Sequence, residues 1–258
     1  VEWRIFAGDG ADPYSVKGGN TRLVEAIADA VGRERILVNK HVTHINATEN
    51  GVEVLATDVA SYAQYAAHGQ FLVTTMPLYR LNDIEFTPPL SLERRQAIAT
   101  QTWGAYFTAH VFFDQPFAEI ASGPLEGIEL PLLSDGPLGV LYPTHSGRLL
   151  NLLVHGDFAE RFNLRTLDPG SIRAEIAAAF DQLSPGLSAH IQEMVFYRYH
   201  PRAIAGWPVG RSRFDDLSEA LRTPQGPVFF AGDFTEGTHS DGAVKSALRV
   251  ARDIIAAR

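Results

Sequence analysis

VFFAGDFTEGTHSDGAVKSALRVARDII, residues 228–255, limits more than any other segment what this chain can become. Val228, Phe229 and Phe230 read as a buried strand that ends on Gly232, where the backbone can turn sharply or come close to a ligand. Asp233 follows, placed to accept a hydrogen bond from a hydroxyl. A helix is expected from near Asp241 or Gly242 to about Ala257, with Val244, Leu248, Ala251 and Ile255 on its apolar face. Its first turn carries unpaired N–H groups and the positive end of the helix dipole. Such a tip favours an anion, or a group that becomes anionic during reaction. The small residues Gly242 and Ala243 leave the tip open to a flat ligand. The same residues also suit a capped terminal helix behind a glycine turn.

The rest of the chain alternates strands and helices, which predicts a mixed α/β (α+β) protein whose chain crosses between two domains. VEWRIFAGDGADPYSVKGG opens strand-like and becomes turn-rich. Asn20 opens a helix to Val31, with Leu23, Val24, Ile27 and Val31 on one face and Gly32 closing it. Short strands are expected at Ile36–Val38, Val42–Ile45 and Val52–Leu55, with a hairpin turn at Asn50-Gly51. Phe71–Pro77 reads as an apolar strand ended by proline, and Ser91 caps a helix to Gln101. Strands at 105–113, 148–154 and 193–200 flank a serine-capped amphipathic helix over 171–183.

Composition narrows the function classes. A formal net charge of -8 in 258 residues argues against nucleic acid or an anionic membrane as the main partner. The sequence has no cysteine, so disulfides, thiolate metal sites and cysteine nucleophiles are excluded. No apolar run is long enough to cross a bilayer and no secretory signal is evident, so a soluble chain is expected, in the cytosol rather than the periplasm. His41 and His44 fall on opposite faces of a strand, which disfavours a metal site, and none is expected elsewhere. Asp215-Asp216 reads as a solvated loop pair.

The closing segment resembles the C-terminal flavin-binding motif of the flavin-containing amine oxidase superfamily, which includes monoamine, polyamine, L-amino acid and protoporphyrinogen oxidases. Four further stretches resemble that family in the same order: YSVKGGNTRLVEAIA, ILVNKHVTHINATENGVEV, FLVTTMPLYRLNDIEFTPPLSLERRQAI and RAIAGWPVG. The resemblance implies FAD as cofactor. It puts the backbone of Val42 at the adenine end, Gly232 and Asp233 at the ribityl and pyrophosphate, and Gly242, Ala243 and Val244 under the pyrimidine edge of the flavin. It further implies an FAD-binding domain of residues 1–77 and 204–258 and a substrate-binding domain of residues 78–203, with Thr75, Met76 and Pro77 lining the exit between them.

The family's opening element is a strand, a G-x-G-x-x-G turn and a helix that carries the pyrophosphate. The nearest match is Gly8-Asp9-Gly10, with Pro13 where the third glycine belongs, and it reads as a turn. The resemblance therefore covers only the second half of the family fold, without its N-terminal Rossmann βαβ unit. A sheet lacking that unit exposes apolar edges. A second polypeptide or cleaved fragment bearing the dinucleotide-binding half is the expected partner, and a chain that begins at Val1 fits such processing. Expressed alone, the chain is expected to be insoluble or to lose FAD.

The catalytic positions depart from the family pattern. Thr108 stands where amine oxidases of this family carry a lysine near flavin N5, and Ala203 and His239 stand where monoamine oxidases place two aromatic residues. Thr108 can hold a water. His239 is a candidate polar group facing substrate and equally a candidate capping histidine. Trp207 and Tyr199 are candidate pocket walls or core residues. The expected reaction is hydride removal from the C–N bond of an amine or amino acid. The alternatives are a flavin oxidoreductase of the desaturase or protoporphyrinogen-oxidase type, and a non-catalytic subunit of a flavoprotein complex.

Overall fold

The computed structural model describes residues 16–143, 147–199 and 202–257. The expected opening strand, the Gly8-Asp9-Gly10 turn and His200 lie outside them. The chain forms two compact units. The first contains residues 16–102 and 206–257, and the second residues 103–205. The division falls at Thr102/Trp103, so residues 78–102 pack in the first unit.

The first unit begins with α1 (Thr21–Val31), ended by Gly32 at φ 93°, a backbone state that glycine adopts without strain. The four apolar residues meant to pack, Leu23, Val24, Ile27 and Val31, are instead 49 to 66% exposed, and no residue of α1 is buried. No strand forms at Ile36–Val38, and all three residues are exposed. Strands β1 (Lys40–Thr48), β2 (Gly51–Asp58) and β3 (Gln64–Gly69) form an antiparallel meander. Thr48 pairs with Gly51, so the hairpin turn is Glu49-Asn50, one residue earlier than expected. β4 (Leu72–Thr74) is shorter than the expected Phe71–Pro77 strand, and β5 (Glu85–Thr87) joins β1 in parallel.

Helix α2 (Leu92–Thr100) starts where the Ser91 hydroxyl accepts the N–H of Arg94, at 3.2 Å. Arg94 itself is buried. Its guanidinium donates to the carbonyls of Ala220 and Thr223 and to Gln225 Oε1, and stacks 4.1 Å from the Phe230 ring centroid. Burial pulls its pKa down to about 10, so it stays charged at neutral pH.

The chain crosses between the units on β6 (Thr102–Gly104) and β12 (Ile204–Gly206), which pair with each other. Within the second unit, β7 (Tyr106–Phe113), β8 (Leu132–Leu133), β9 (Val140–Pro143), β10 (Leu149–His155) and β11 (Ile191–Arg198) form one sheet in the order β11-β7-β10-β9-β8. Alternation decides its faces. Phe107, Ala109, Val111 and Phe113 point inward with Leu150, Leu152, Val154 and Met194. Helices α3 (Gly156–Asn163) and α4 (Pro169–Leu183) cover that face with Phe162, Ile172, Ile176 and Phe180. Each such large side chain contributes about 1.5–3 kcal/mol on burial. The cap of α4 is Asp168, which accepts the N–H of Ser171, so the helix starts two residues before the expected serine.

On return to the first unit, α5 (Asp216–Arg222) is capped by Asp215, whose carboxylate also takes two bonds from Arg211 at 2.6 and 3.1 Å. Asp215 is thus a structural anchor rather than a solvated loop acid. β13 (Val228–Phe230) pairs in parallel with β4, and the short α6 (Asp233–Glu236) precedes α7 (Ser240–Ala256). Among the described residues no helix is long and apolar enough to cross a membrane.

Arg94→Met is expected to destabilise the chain by about 2–4 kcal/mol in denaturant unfolding, because it leaves the acceptors of Ala220, Thr223 and Gln225 unpaired. Unchanged stability would show that the guanidinium is not holding the turn before β13.

Candidate functional site

In the first unit, the candidate site lies at the C-terminal ends of the parallel strands β4 and β13. Thr74 pairs with Phe230, so Thr75–Pro77 and Ala231–Asp233 leave the sheet at the same end. In parallel sheets that end is where ligands bind. Gly232 has φ 154°, and a Cβ there would fall 2.3 Å from the Phe234 ring. Its N–H donates to Ser246 Oγ at 2.9 Å, and Ser246 Oγ donates in turn to the Ala243 carbonyl at 2.6 Å. One buried hydroxyl therefore ties the glycine turn to the first turns of α7.

The seating of α7 differs from expectation. Val244, Leu248, Ala251 and Ile255 are exposed, while Gly242, Ser246 and Val250 form the buried stripe, with Ile254 partly buried beside it. The inward stripe begins with the smallest residues because the backbone approaches closely. A Cβ on Gly242 would lie 2.0 Å from the Gly237 carbonyl oxygen. Gly242 thus packs against the loop and does not open the tip. Gly237, with no atom within 4 Å of a built Cβ, borders the open space. Arg249 locks the arrangement by donating to Glu236 Oε1 at 2.7 Å, to the Arg222 carbonyl at 3.0 Å and to the Phe230 carbonyl at 3.1 Å.

The tip of α7 carries no side-chain cap from His239, which is exposed and lies 3.2 Å through Nδ1 from Thr238 Oγ1. Asp241 in the first turn is paired to Lys245 at 2.8 Å. Asp233 is partly buried and accepts the N–H of Phe234 at 2.9 Å. Burial raises its carboxyl pKa above the ordinary value, and the hydrogen bond from the Phe234 N–H partly offsets this, with a smaller contribution from His239. The dipole end and the uncapped N–H groups suit an anionic or hydrogen-bond-accepting ligand edge.

The remaining expected cofactor residue is Val42, and Trp207 is the expected pocket wall of this unit. Val42 is half-buried in β1 beside a bulge between Val42 and His44, where the backbone is irregular. Trp207 is half-buried and donates from Nε1 to Ser218 Oγ at 3.0 Å, which fixes it to α5. His44 contacts Glu85 at 3.1 Å, and His41 is exposed.

In the second unit, the sheet face opposite the core carries a second polar constellation. Register places Val195, His110, Asn151 and Tyr142 in one row, and Tyr197, Thr108, Leu153 and Val140 in the next. Tyr106 lies beside His155 in the following row and 5.3 Å from the Tyr199 ring. Thr108 is therefore half-buried at the middle of this face, with Tyr197 and Leu153 on either side. Burial lowers the pKa values of His110 and His155, so both rings are neutral near pH 7, and burial raises Tyr142. It also raises Tyr106, reinforced by Tyr199 and Tyr142. Asn163, which sequence reasoning missed, donates to the Tyr106 carbonyl at 2.8 Å and accepts the N–H of Tyr199 at 2.6 Å. It holds the two tyrosines side by side. Ala203 is exposed on the approach to β12, its N–H donating to the Gly104 carbonyl at 3.1 Å.

Ser246 and Arg249 were equally unread. Their signal is a hydroxyl and a guanidinium on the packed side of a helix, where apolar residues are usual. Gly242→Ala is expected to lower stability by about 1–3 kcal/mol in thermal unfolding, since backbone faces the new methyl and cannot rotate away. A Tm equal to wild type would refute this close seating.

A family profile described as flavin-containing amine oxidoreductase matches residues 3–255. Amine oxidase [flavin-containing] B of Bos taurus is 25% identical over 281 residues, covering 98% of this chain and 49% of that protein. The L-amino-acid oxidase of Vipera ammodytes ammodytes is 48% identical over 44 residues, 16% of this chain. Among solved structures, a putrescine oxidase variant superposes with TM-score 0.73 at 20% identity, covering 93% of this chain and 53% of that one. Cyclohexylamine oxidase from Brevibacterium oxydans gives 0.72 at 21% identity. The chain thus spans about half the length of these amine oxidase B relatives. Matched over nearly its whole length, it belongs to the flavin-containing amine oxidoreductase family.

Proposed function

We propose that this chain is the C-terminal portion of an FAD-dependent oxidase that removes hydride from the C–N bond of an amine or amino acid. It works with a polypeptide segment that carries the dinucleotide-binding half. The observation that carries the reading is the uncapped tip of α7 beside the Gly232-Asp233 turn, at the C-terminal ends of two parallel strands.

The residues present fit FAD. When bound, FAD supplies the two-electron acceptor for the hydride. The first turn of α7, which begins at Ser240, favours negative charge at the flavin's pyrimidine edge by roughly 0.3–2 kcal/mol. Asp233 accepts a ribityl or ribose hydroxyl, and the backbone of Val42 meets the adenine end. Thr108 orders a water on the substrate face, among neutral histidines and tyrosines that supply hydrogen bonds without a fixed charge. Hydride leaves a neutral amine most readily, so this wall binds the substrate uncharged and aligns its C–H bond. Tyr199, beside Tyr106, completes this wall in the second unit.

A threonine in place of the family's lysine, and an alanine and a histidine in place of its aromatic pair, favour one further reading. This is a flavin oxidoreductase acting on C–C or ring C–H bonds. Purification with flavin absorbance and peroxide release from a panel of amines and amino acids supports the oxidase. Flavin without amine-dependent peroxide supports the second reading, and a colourless preparation refutes both.

Asp233→Asn separates binding from folding. FAD retention is expected to fall at least about tenfold, the loss of one hydrogen bond to a charged acceptor. Burial raises the Asp233 pKa, so the folded chain holds that proton more tightly than the unfolded chain. Stability therefore drops as pH rises from the unfolded value through the raised folded one, and D233N removes that drop. Tm against pH, read together with bound flavin, checks both. Unchanged flavin retention would remove Asp233 from the site.

A further inference from the structure

We propose that Asn151 is a substrate-contacting residue of the second unit, and that it selects an amine bearing a hydroxyl group several bonds from the reacting carbon. This rests on the reading above and names the substrate class of that site. Asn151 stands inside β10, on the sheet face opposite the core. Leu150 and Leu152, its neighbours along the chain, are fully buried on the other face. Leu149 and Leu153 flank it on its own face, so the strand would accept an apolar residue there as readily. Nothing in the packing of β10 calls for an amide.

The amide is also incompletely satisfied. Asn151 Oδ1 is buried with no hydrogen-bond partner among the described residues, although the residue as a whole is only half-buried. His110 on β7 and Tyr142 on β9 stand opposite it in register, and neither bonds to that oxygen. A buried polar atom left unpaired lowers stability, and such atoms are rare in native folds. The last torsion of an asparagine is soft, so a half turn exchanges its carbonyl and amino ends. A group arriving from the open side can therefore meet either end.

The occupant follows from charge and spacing. The row of Asn151 holds Val195, His110 and Tyr142, and the row beside it holds Tyr197, Thr108, Leu153 and Val140. Among these described residues there is no carboxylate, lysine or arginine, and burial keeps His110 neutral near pH 7. Glu193 lies one row further on, two strands from Asn151, and is exposed. A second ammonium group, or a carboxylate, would lose its water here without gaining a counter-charge. A hydroxyl is neutral and both donates and accepts, so it satisfies whichever end of the amide faces it. Asn151 and Thr108 are diagonal neighbours across β10 and β7, about 7–8 Å apart. With the reacting carbon beside Thr108, that spacing suits a linear amine with its hydroxyl roughly five carbons away.

The test uses the flavin-containing complex purified from the cells that make it. Peroxide release is followed with aminopentanol, with hexylamine, in which a methyl replaces the hydroxyl, and with cadaverine, in which a second amine does. Aminopentanol is expected to show kcat/KM at least about tenfold above either of the others, because a site that hydrogen-bonds a substrate hydroxyl rejects the analogue lacking it. Asn151→Leu is expected to abolish that preference. It is also expected to raise Tm by about 2 °C or more, since it removes the unmet polar atom. Asn151→Ser keeps a hydrogen-bonding group and retains part of the preference. Equal or reversed kcat/KM values in the wild type, peroxide only from other amines, or an unchanged preference in N151L overturns the hydroxyl assignment and leaves the oxidase standing. A lower Tm in N151L, or loss of the complex with both variants, makes Asn151 a structural residue and overturns the assignment as well. Bound flavin without peroxide from any amine overturns both.

Discussion

The close approach of Gly242 to the Gly237 carbonyl is the contact on which the candidate cofactor site depends. With no side chain between them, α7 drops onto the loop after β13. That brings Ser246 within reach of the Gly232 N–H, and Arg249 within reach of the Phe230 and Arg222 carbonyls. The helix axis and the glycine turn are thereby fixed relative to each other before any ligand arrives. A preset dipole and preset N–H groups need little reorganisation, which is the condition for electrostatic stabilisation to be effective. Of the acidic groups nearby, Asp241 is paired to Lys245, which offsets its charge at the tip.

The sheet of the second unit solves a different problem. One face must build a core and the other must stay polar without becoming charged. Strict alternation along β7 achieves both, with Phe107, Ala109, Val111 and Phe113 inward and Tyr106, Thr108 and His110 outward. Histidines held neutral by burial can donate or accept, and tyrosines with raised pKa values remain donors. Asn151 Oδ1 is buried on this face with no partner among the described residues, an unmet acceptor in the same row as His110 and Tyr142. Such a face offers hydrogen bonds without a fixed charge.

Elements with strong local signals were legible in the sequence. The Ser91 cap, the alternation of 105–113 and the glycine stop after Val31 each appear close to where pattern reasoning put them. The errors have physical causes. Ile36–Val38 is apolar, with two β-branched residues, yet finds no strand to pair with among the described residues. β3, with two alanines, a histidine and a glycine, has weak strand propensity and forms only because β2 offers an edge. The buried side of α7 was misread because apolar spacing suggested the outward stripe, whereas the inward one is set by backbone proximity to Gly237. Thr108 was placed on the correct strand, but the histidines and Asn163 around it become neighbours only through register.

The exposed apolar stripes share one cause. In α1 and α7 the spacing is that of helices made to be covered on the side that is bare, and a helix of this kind gains most of its stability from packing rather than propensity. At about 25 cal/mol per Å² of apolar surface, covering several such side chains is worth several kcal/mol, comparable with the whole net stability of a domain. Selection for spacing alone, with no surface to meet it, would be costly to solubility. The stripes of α1 and α7 are therefore apolar surface that the described residues leave uncovered.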